Sequence, residues 1–338
     1  MYQISLITGD GIGPEISHSV LQVLNAVNDK LGVKVKVTEL EAGDISLKKT
    51  GKALPEYVLD TVKKSNACLK APVGESAADV IIVLRRYLDL YANIRPAKSY
   101  PNIPSLKDNI DMVIVRENTE DLYTGMEFDV GDTSIALRTI SKKASERIAK
   151  YAFLTAQQRN KQKKVTCVHK ANVMRKTDGL FSRTCQEVSG TYPGIKFEQM
   201  YVDACSMNLI RQPESFDVIV TTNLFGDILS DEAAQVVGGL GMAPAANIGD
   251  NFALFEPVHG AAFDIAGKQA ANPSSFILST KMMFEWLGMK NNDKRCCQAA
   301  QKIEDAVYGI VKEGIKTKDI GGSKTTSEFT QQVVSRII

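Results

Sequence analysis

Asp227 and Asp231 stand four residues apart in FDVIVTTNLFGDILSDEA, residues 216–233. On a helix that spacing puts both carboxylates on one face, a turn apart. Two like charges so placed repel unless a cation or a helix N-terminus holds them. A divalent ion completed by substrate oxygens satisfies the pair. So does a position in the first turn, where Asp caps the helix and opposes its dipole. The run before them, Phe216-Asp217-Val218-Ile219-Val220-Thr221, reads as a short buried strand, and the glycine-containing segment between reads as a turn.

Arginines cluster in Leu84-Arg85-Arg86, Asn93-Ile94-Arg95-Pro96 and Val115-Arg116-Glu117. Arg95 and Arg116 come near strand ends, where loops converge on a cleft. Guanidiniums beside a metal suit a substrate with two or more carboxylates, which Arg binds bidentately. Arg86 reads as a solvated surface charge. Lys170 follows the apolar strand Val165–Val168, and Tyr123 lies in ENTEDLY. A lone Lys or Tyr at such a place is usually structural. A Lys near a divalent cation, however, can have its pKa lowered enough to act as a base. Asp203 ends the strand read at Phe197–Val202 and offers the metal a third carboxylate.

Two glycine-bearing segments could hold a ligand. Gly9-Asp10-Gly11-Ile12-Gly13-Pro14-Glu15 joins the first strand to a helix, but its spacing is not G-x-G-x-x-G. It fits a tight turn with a proline at the helix start as well as it fits ligand contact. The loop from Phe255 to Asn272 contains EPVHGAAFDIAGK, whose small residues allow close backbone approach. An acid near a dinucleotide binds the ribose 2′-hydroxyl and repels a 2′-phosphate.

These residues need elements to position them. Strand candidates at 3–8, 33–39, 67–70, 111–115, 164–169, 196–202 and 216–221 alternate with amphipathic stretches at 15–31, 55–65, 144–158 and 177–189. The alternation predicts an α/β protein with largely parallel sheets. Glu127–Thr139 reads as a projecting hairpin around Val130-Gly131-Asp132. Helical periodicity returns at 274–287 and 293–313. A chain of 338 residues is long enough for about two domains. Charges are intermixed, with a net +2 and no basic block, so no nucleic-acid partner is indicated. No apolar run spans a membrane and no signal peptide is evident. The six cysteines have no framework or CxxC spacing, and together these features predict a reduced, cytoplasmic protein.

The chain resembles the β-decarboxylating hydroxyacid dehydrogenases, which act on isocitrate, homoisocitrate or 3-isopropylmalate. The likeness runs from GDGIGPE at Gly9 to GGSKTT at Gly321–Thr326, with NLFGDILSDEA and EPVHGAAFDIAGK as its most specific motifs. It implies a two-domain α/β fold that is not Rossmann. Residues 1–96 with 241–338 would form the dinucleotide-binding domain, and 97–240 an inserted dimerisation and metal-binding domain. The hairpin would be an arm through which the subunits of a homodimer, possibly paired into a tetramer, interlock. Arg85, Arg95, Arg116 and Asn172 would bind the malate core. Asp227 and Asp231, with Asp203, would hold Mg²⁺ or Mn²⁺. Lys170 and Asp203 would enter from the partner subunit, Lys170 as base and Tyr123 as the acid that reprotonates carbon. NAD would lie along Ile12, Glu256, His259, Gly260, Ala262, Asp264, Ile265 and Asn272.

Within the family the substrates differ in one substituent, expected near Arg85. Ile81 and Ile82 precede Arg85 by four and three residues and share its helical face. An extra carboxylate would meet no donor there, whereas an isopropyl group gains from that surface. The stretches VGESAADVIIVLR and YANIRPAKS resemble the archaeal 3-isopropylmalate branch. Homoisocitrate or isocitrate is the alternative substrate. A non-catalytic regulatory subunit would be expected to lose Tyr123, Lys170 or an aspartate, and all are present. A two-domain solute-binding protein would carry an export signal.

Overall fold

The computed structural model describes residues 1–337. Its strands are β1 (Tyr2–Ile7), β2 (Val35–Leu40), β3 (Ala67–Lys70), β4 (Ala92–Lys98), β5 (Asp111–Glu117), β6 (Glu127–Val130), β7 (Thr133–Ala136), β8 (Lys164–His169), β9 (Lys196–Tyr201), β10 (Val218–Thr221), β11 (Pro244–Ile248) and β12 (Ala253–Pro257). Its helices are α1 (Gly13–Leu31), α2 (Asp44–Thr50), α3 (Glu56–Lys64), α4 (Ala77–Tyr87), α5 (Lys142–Arg159), α6 (Thr177–Ser189), α7 (Val202–Arg211), α8 (Asn223–Val236), α9 (Ser274–Asn291), α10 (Lys294–Lys312) and α11 (Thr326–Arg336).

Ten strands form one sheet in the order β2-β1-β3-β12-β11-β4-β5-β10-β8-β9. The expectation of largely parallel pairing holds at both ends and fails in the middle. There β4 runs antiparallel to β5 and to β11, and β11 antiparallel to β12. The cause is connectivity: no helix intervenes between β4 and β5 or between β11 and β12, so each pair folds back on itself. None of β4, β11 and β12 was among the strand candidates. ANIRPAK carries polar residues and a proline, which argue against a central strand. Pro96 is tolerated because β11 pairs β4 only at Ala92, Asn93 and Ile94. The domain boundary expected at residue 96 would therefore cut a strand that joins the two halves of the sheet.

Side chains alternate between the sheet faces with a period of two. One face is covered by a continuous apolar core that includes Leu6, Val113, Val115, Val220 and Phe255, packed under α1, α5, α6, α9 and α10. The other carries two separate clusters. Ile7, Cys68, Val80, Leu84 and Leu254 belong to one; Met112, Ile114, Ile219, Leu209 and Leu229 belong to the other. Register places Lys70, Asn93, Arg95, Arg116, Asn247 and Glu256 on this second face, between the clusters. The break in the apolar surface is the candidate site.

The expected hairpin forms: β6 pairs β7 antiparallel around Gly131-Asp132, and Gly131 adopts the left-handed φ of 64° that this tight turn requires. Among the described residues no helix is long and apolar enough to cross a membrane.

Candidate active site

Arg116 is the largest fully buried polar side chain here, 1% exposed near the end of β5. Its Nε and Nη2 donate to Asn223 Oδ1 at 3.0 and 2.7 Å, and its Nη1 pairs with Asp227. Helix α8 lies so close above it that a Cβ on Gly226 would sit 2.5 Å from Arg116 Cγ. The glycine of NLFGD is thus inside the helix, not in a turn before it. Glycine there costs about 1 kcal/mol in helix propensity, offset by the close approach it permits.

That helix start decides between the two readings of the aspartate pair. Because α8 begins at Asn223, no acidic residue lies in its first turn. Capping and dipole effects fade beyond that turn, so they do not account for Asp227 and Asp231. Arginines hold them instead. Arg95 reaches Asp231 at 3.2 Å and Asp227 at 3.7 Å. Burial alone would raise the Asp227 pKa, but Arg116, the Tyr123 hydroxyl and Arg95 outweigh it and hold it below the ordinary value. Asp231 goes the other way: burial raises it, Arg95 opposes, and Asp227 adds to the rise. Arg116 itself is drawn down to about 10 by burial and by Arg85.

Tyr123 sits in a 3₁₀ turn at Asp121–Thr124. Its hydroxyl donates to Asp227 Oδ2, and the Arg116 guanidinium lies 5.0 Å from its ring centre. Burial and the aspartate keep the phenol protonated to higher pH than usual.

Arg95 lies in the middle of β4 and not near its end, paired with Ile114. Its Nε donates to Asn93 Oδ1 at 2.8 Å. Arg85 is buried and donates to Asn247 Oδ1 at 2.9 Å and to Glu256 at 3.3 Å. Lys70 meets the other Glu256 oxygen at 2.8 Å. Asn247 Oδ1 also accepts from Asn93 and Asn118, while its amide donates to Glu256. Lys70, Asn93, Asn118, Asn223 and Asn247 were missed in the sequence. For Lys70, Asn93 and Asn247 the signal was a strand position sharing a face with the arginines, with β4 and β11 not recognised as strands; Asn118 follows β5 and Asn223 opens α8. Glu256, expected with the cofactor loop, is bonded into this arginine network and is drawn down to about 2, Lys70 and Arg85 overcoming the rise from burial.

Ile81 and Ile82 lie on α4 as expected, both half-buried. Ile81 packs against the core beneath α4, so it also supports the fold. Asp79 is exposed.

Lys170 and Asp203 form a separate pair, with Lys170 Nζ 2.5 Å from Asp203 Oδ1. Asp203 is in the first turn of α7, where the expected strand has already ended. Its carboxylate is 64% exposed. The three aspartates do not gather: among the described residues no group of three His, Cys, Asp or Glu side chains could hold a metal. Asn172, two residues on, is exposed.

The glycine loop after β1 and the loop at 258–272 touch directly. Ile12 N donates to Ala261 O at 2.8 Å, and a Cβ on Gly11 would overlap that carbonyl. Buried Asp10 accepts from Asp44 N, Ile45 N and Gly74 N, which fixes the turn. His259 bonds Gly260 O through Nδ1, while its buried Nε2 has no partner. Asp264 is exposed, Ile265 is half-buried and Asn272 is tied to Asp319 at 3.0 Å. The backbone of Gly260 has open space around it, and Ala262 adopts a left-handed φ of 40°. An orphaned imidazole nitrogen, a free carboxylate and small residues fit a nucleotide lying along this loop.

Residues 3–333 match the profile of the family described as isocitrate/isopropylmalate dehydrogenase. The 3-isopropylmalate dehydrogenase of Sulfurisphaera tokodaii is 50% identical over 338 residues, covering 99% of each chain. That of Archaeoglobus fulgidus is 50% identical over 335 residues, again covering 99% of each. The crystal structure of isocitrate dehydrogenase from Methylococcus capsulatus shares the fold with a TM-score of 0.92 and 41% identity, covering 100% of this chain and 99% of that one. The chain belongs to the isocitrate/isopropylmalate dehydrogenase family and is one of its enzymes.

Proposed function

We propose that the protein oxidatively decarboxylates (2R,3S)-3-isopropylmalate to 4-methyl-2-oxopentanoate with reduction of NAD, a step of leucine biosynthesis, as a homodimer with shared active sites. Lys170 pairs with Asp203, and among the described residues Asp203 does not gather with Asp227 and Asp231; this carries the shared-site reading, in which one chain holds two half-sites. Exposed apolar residues support a second copy as the partner. Met207 and Ile210 on α7, Ile228 on α8, and Phe128 and Val130 on the hairpin are each at least half exposed. In this assembly residues 97–240 would form the dimerisation half and 1–96 with 241–338 the cofactor half, with β4 crossing from one to the other.

Arg85, Arg95 and Arg116 hold the malate carboxylates, and Ile82 with Ile81 faces the isopropyl branch. Asp227 and Asp231, with Asp203 of the other subunit, would hold Mg²⁺ or Mn²⁺; carboxylate oxygens suit such hard cations. When bound, the ion supplies Lewis acidity toward the substrate oxygens and NAD supplies the hydride acceptor. Lys170, approaching from the neighbouring subunit, takes the hydroxyl proton as hydride leaves the same carbon. Tyr123 then returns a proton to the carbon that loses CO₂. Asp264 would accept from the adenosine ribose hydroxyls and repel a 2′-phosphate, favouring NAD over NADP. The isocitrate dehydrogenase among the structural neighbours keeps isocitrate and homoisocitrate as the second reading.

Mixing two inactive variants tests the shared site. In a dimer of Lys170→Met with Tyr123→Phe, one site combines Tyr123 from the first chain with Lys170 from the second and is intact. Random mixing of equal amounts should restore about a quarter of wild-type activity. No recovery, from chains shown to have exchanged, would overturn the shared site.

A further inference from the structure

Arg138 follows the hairpin by two residues and turns inward, its side chain only 12% exposed. Its Nε and Nη2 donate to the two oxygens of Asp121 at 2.6 and 3.2 Å, and Nη1 pairs with Asp178. Nη2 also donates to Thr222 Oγ1 at 2.8 Å, and the guanidinium lies 4.8 Å from the Phe225 ring centre. Both carboxylates are fully buried. One planar cation therefore separates two buried anions that would otherwise repel, a task that needs a fork of donors.

Each contact ends at a segment bearing a site residue. Asp121 opens the 3₁₀ turn of Tyr123 and stands at a left-handed φ of 72°, unusual for a side chain other than glycine and maintained by these bonds. Its Oδ2 also accepts from Leu224 N at 3.1 Å, in the first turn of the helix that carries Asp227 and Asp231. Thr222 is the residue that precedes this helix. Asp178 accepts from the backbone N–H of Lys170 at 2.5 Å, which fixes the turn from which that lysine projects.

The geometry points to Arg138 as a positioning residue for both half-sites of its own chain, and so for both active sites of a dimer. None of its contacts is with a residue assigned to the substrate or cofactor. It sets Tyr123 and α8 for the site its chain completes, and Lys170 for the site of the other subunit. This rests on the shared-site reading above.

Arg138→Met should leave the KM for 3-isopropylmalate within about threefold, because Arg138 contacts none of the substrate arginines and Arg85 and Arg95 are held by other partners, and lower kcat by about 30- to 100-fold, a loss that misplacement near 1 Å can cause. A misfolded fraction would also lower kcat, but it would not change the isotope effect. With substrate deuterated at the carbon that gives up hydride, the effect should rise in the variant as that step becomes limiting. Arg138→Lys keeps the charge but cannot fork to both carboxylates, so it should lose about tenfold in kcat. A differentially tagged heterodimer of one wild-type and one Arg138→Met chain should retain under a fifth of wild-type activity, because both of its sites are displaced. The matching heterodimer with Tyr123→Phe should retain about half. A folded Arg138→Met dimer with unchanged kcat and isotope effect, or a heterodimer at half activity, would overturn the proposal. If Arg138→Met does not fold, unchanged kcat and isotope effect in Arg138→Lys overturn it equally. A wild-type chain inactive on all the family's acids would instead sink the functional reading.

Discussion

Glu256→Gln removes the charge that holds two buried cations, and its cost can be worked out beforehand. Glu256 sits between Lys70 at 2.8 Å and Arg85 at 3.3 Å, all three side chains under 10% exposed. Its carboxyl is drawn from 4.5 to about 2. A depression of that size corresponds to roughly 3 kcal/mol of stability at neutral pH. Breaking a buried pair by removing one partner costs ~3–5 kcal/mol, which agrees in scale. The unfolding entropy of a chain this long translates that into a fall in Tm of about 4–7 °C, at fixed protein concentration. The pH dependence is the sharper test. Because the folded pKa is depressed, the contribution is complete above the unfolded value of 4.5 and is lost as pH falls toward 2. By pH 3.5 the wild type should have lost about 1–2 kcal/mol from this group, and the variant none. Scanning calorimetry of both proteins at pH 7 and pH 3.5 should show the gap in Tm narrowing by about 2 °C. A gap below 1 °C at pH 7, or one that does not narrow in acid, would refute the buried-triad reasoning.

Other outcomes follow from the site. Lys170→Met and Tyr123→Phe should remain folded dimers but fail differently: rapid-quench kinetics should show hydride transfer lost in the first, and transfer followed by slow protonation in the second. Asp264→Lys combined with Ile265→Tyr should move the kcat/KM ratio toward NADP, since a charge that repels phosphate is replaced by one that attracts it. Ile82→Ala should lower kcat/KM for 3-isopropylmalate about tenfold and affect malate much less, as expected for a lost ~1–3 kcal/mol apolar contact. Ile81→Ala should also lower Tm, because Ile81 packs against the core under α4.

Candidate residues could be picked from short runs, Asp227 and Asp231 for their spacing and Lys170 for following an apolar strand, but those runs alone fitted a structural role equally; for the aspartates the start of α8 removes the first-turn alternative. The layers were legible where strands alternate with amphipathic helices. The middle of the sheet was not, because ANIRPAK and PAANI lack the β-branched pattern, and the β4–β11 and β3–β12 pairings that close it join segments distant in sequence. With β4, β11 and β12 unread, the network of Lys70, Asn93, Asn247 and Glu256 could not be assembled, since it exists only through register across strands. Arg138 was silent for the same reason: its partners lie 17, 40 and 84 residues away. The start of α8 was read too late because a glycine inside a helix imitates a turn, and only the contact with Arg116 explains it.

Steady-state kinetics of the wild-type protein test the central claim most directly. Initial rates on 3-isopropylmalate, homoisocitrate and isocitrate, each with NAD and with NADP in the presence of Mg²⁺ or Mn²⁺, should give the highest kcat/KM for 3-isopropylmalate with NAD. A higher kcat/KM for homoisocitrate or isocitrate would contradict the substrate assignment, and a preference for NADP would contradict the role given to Asp264.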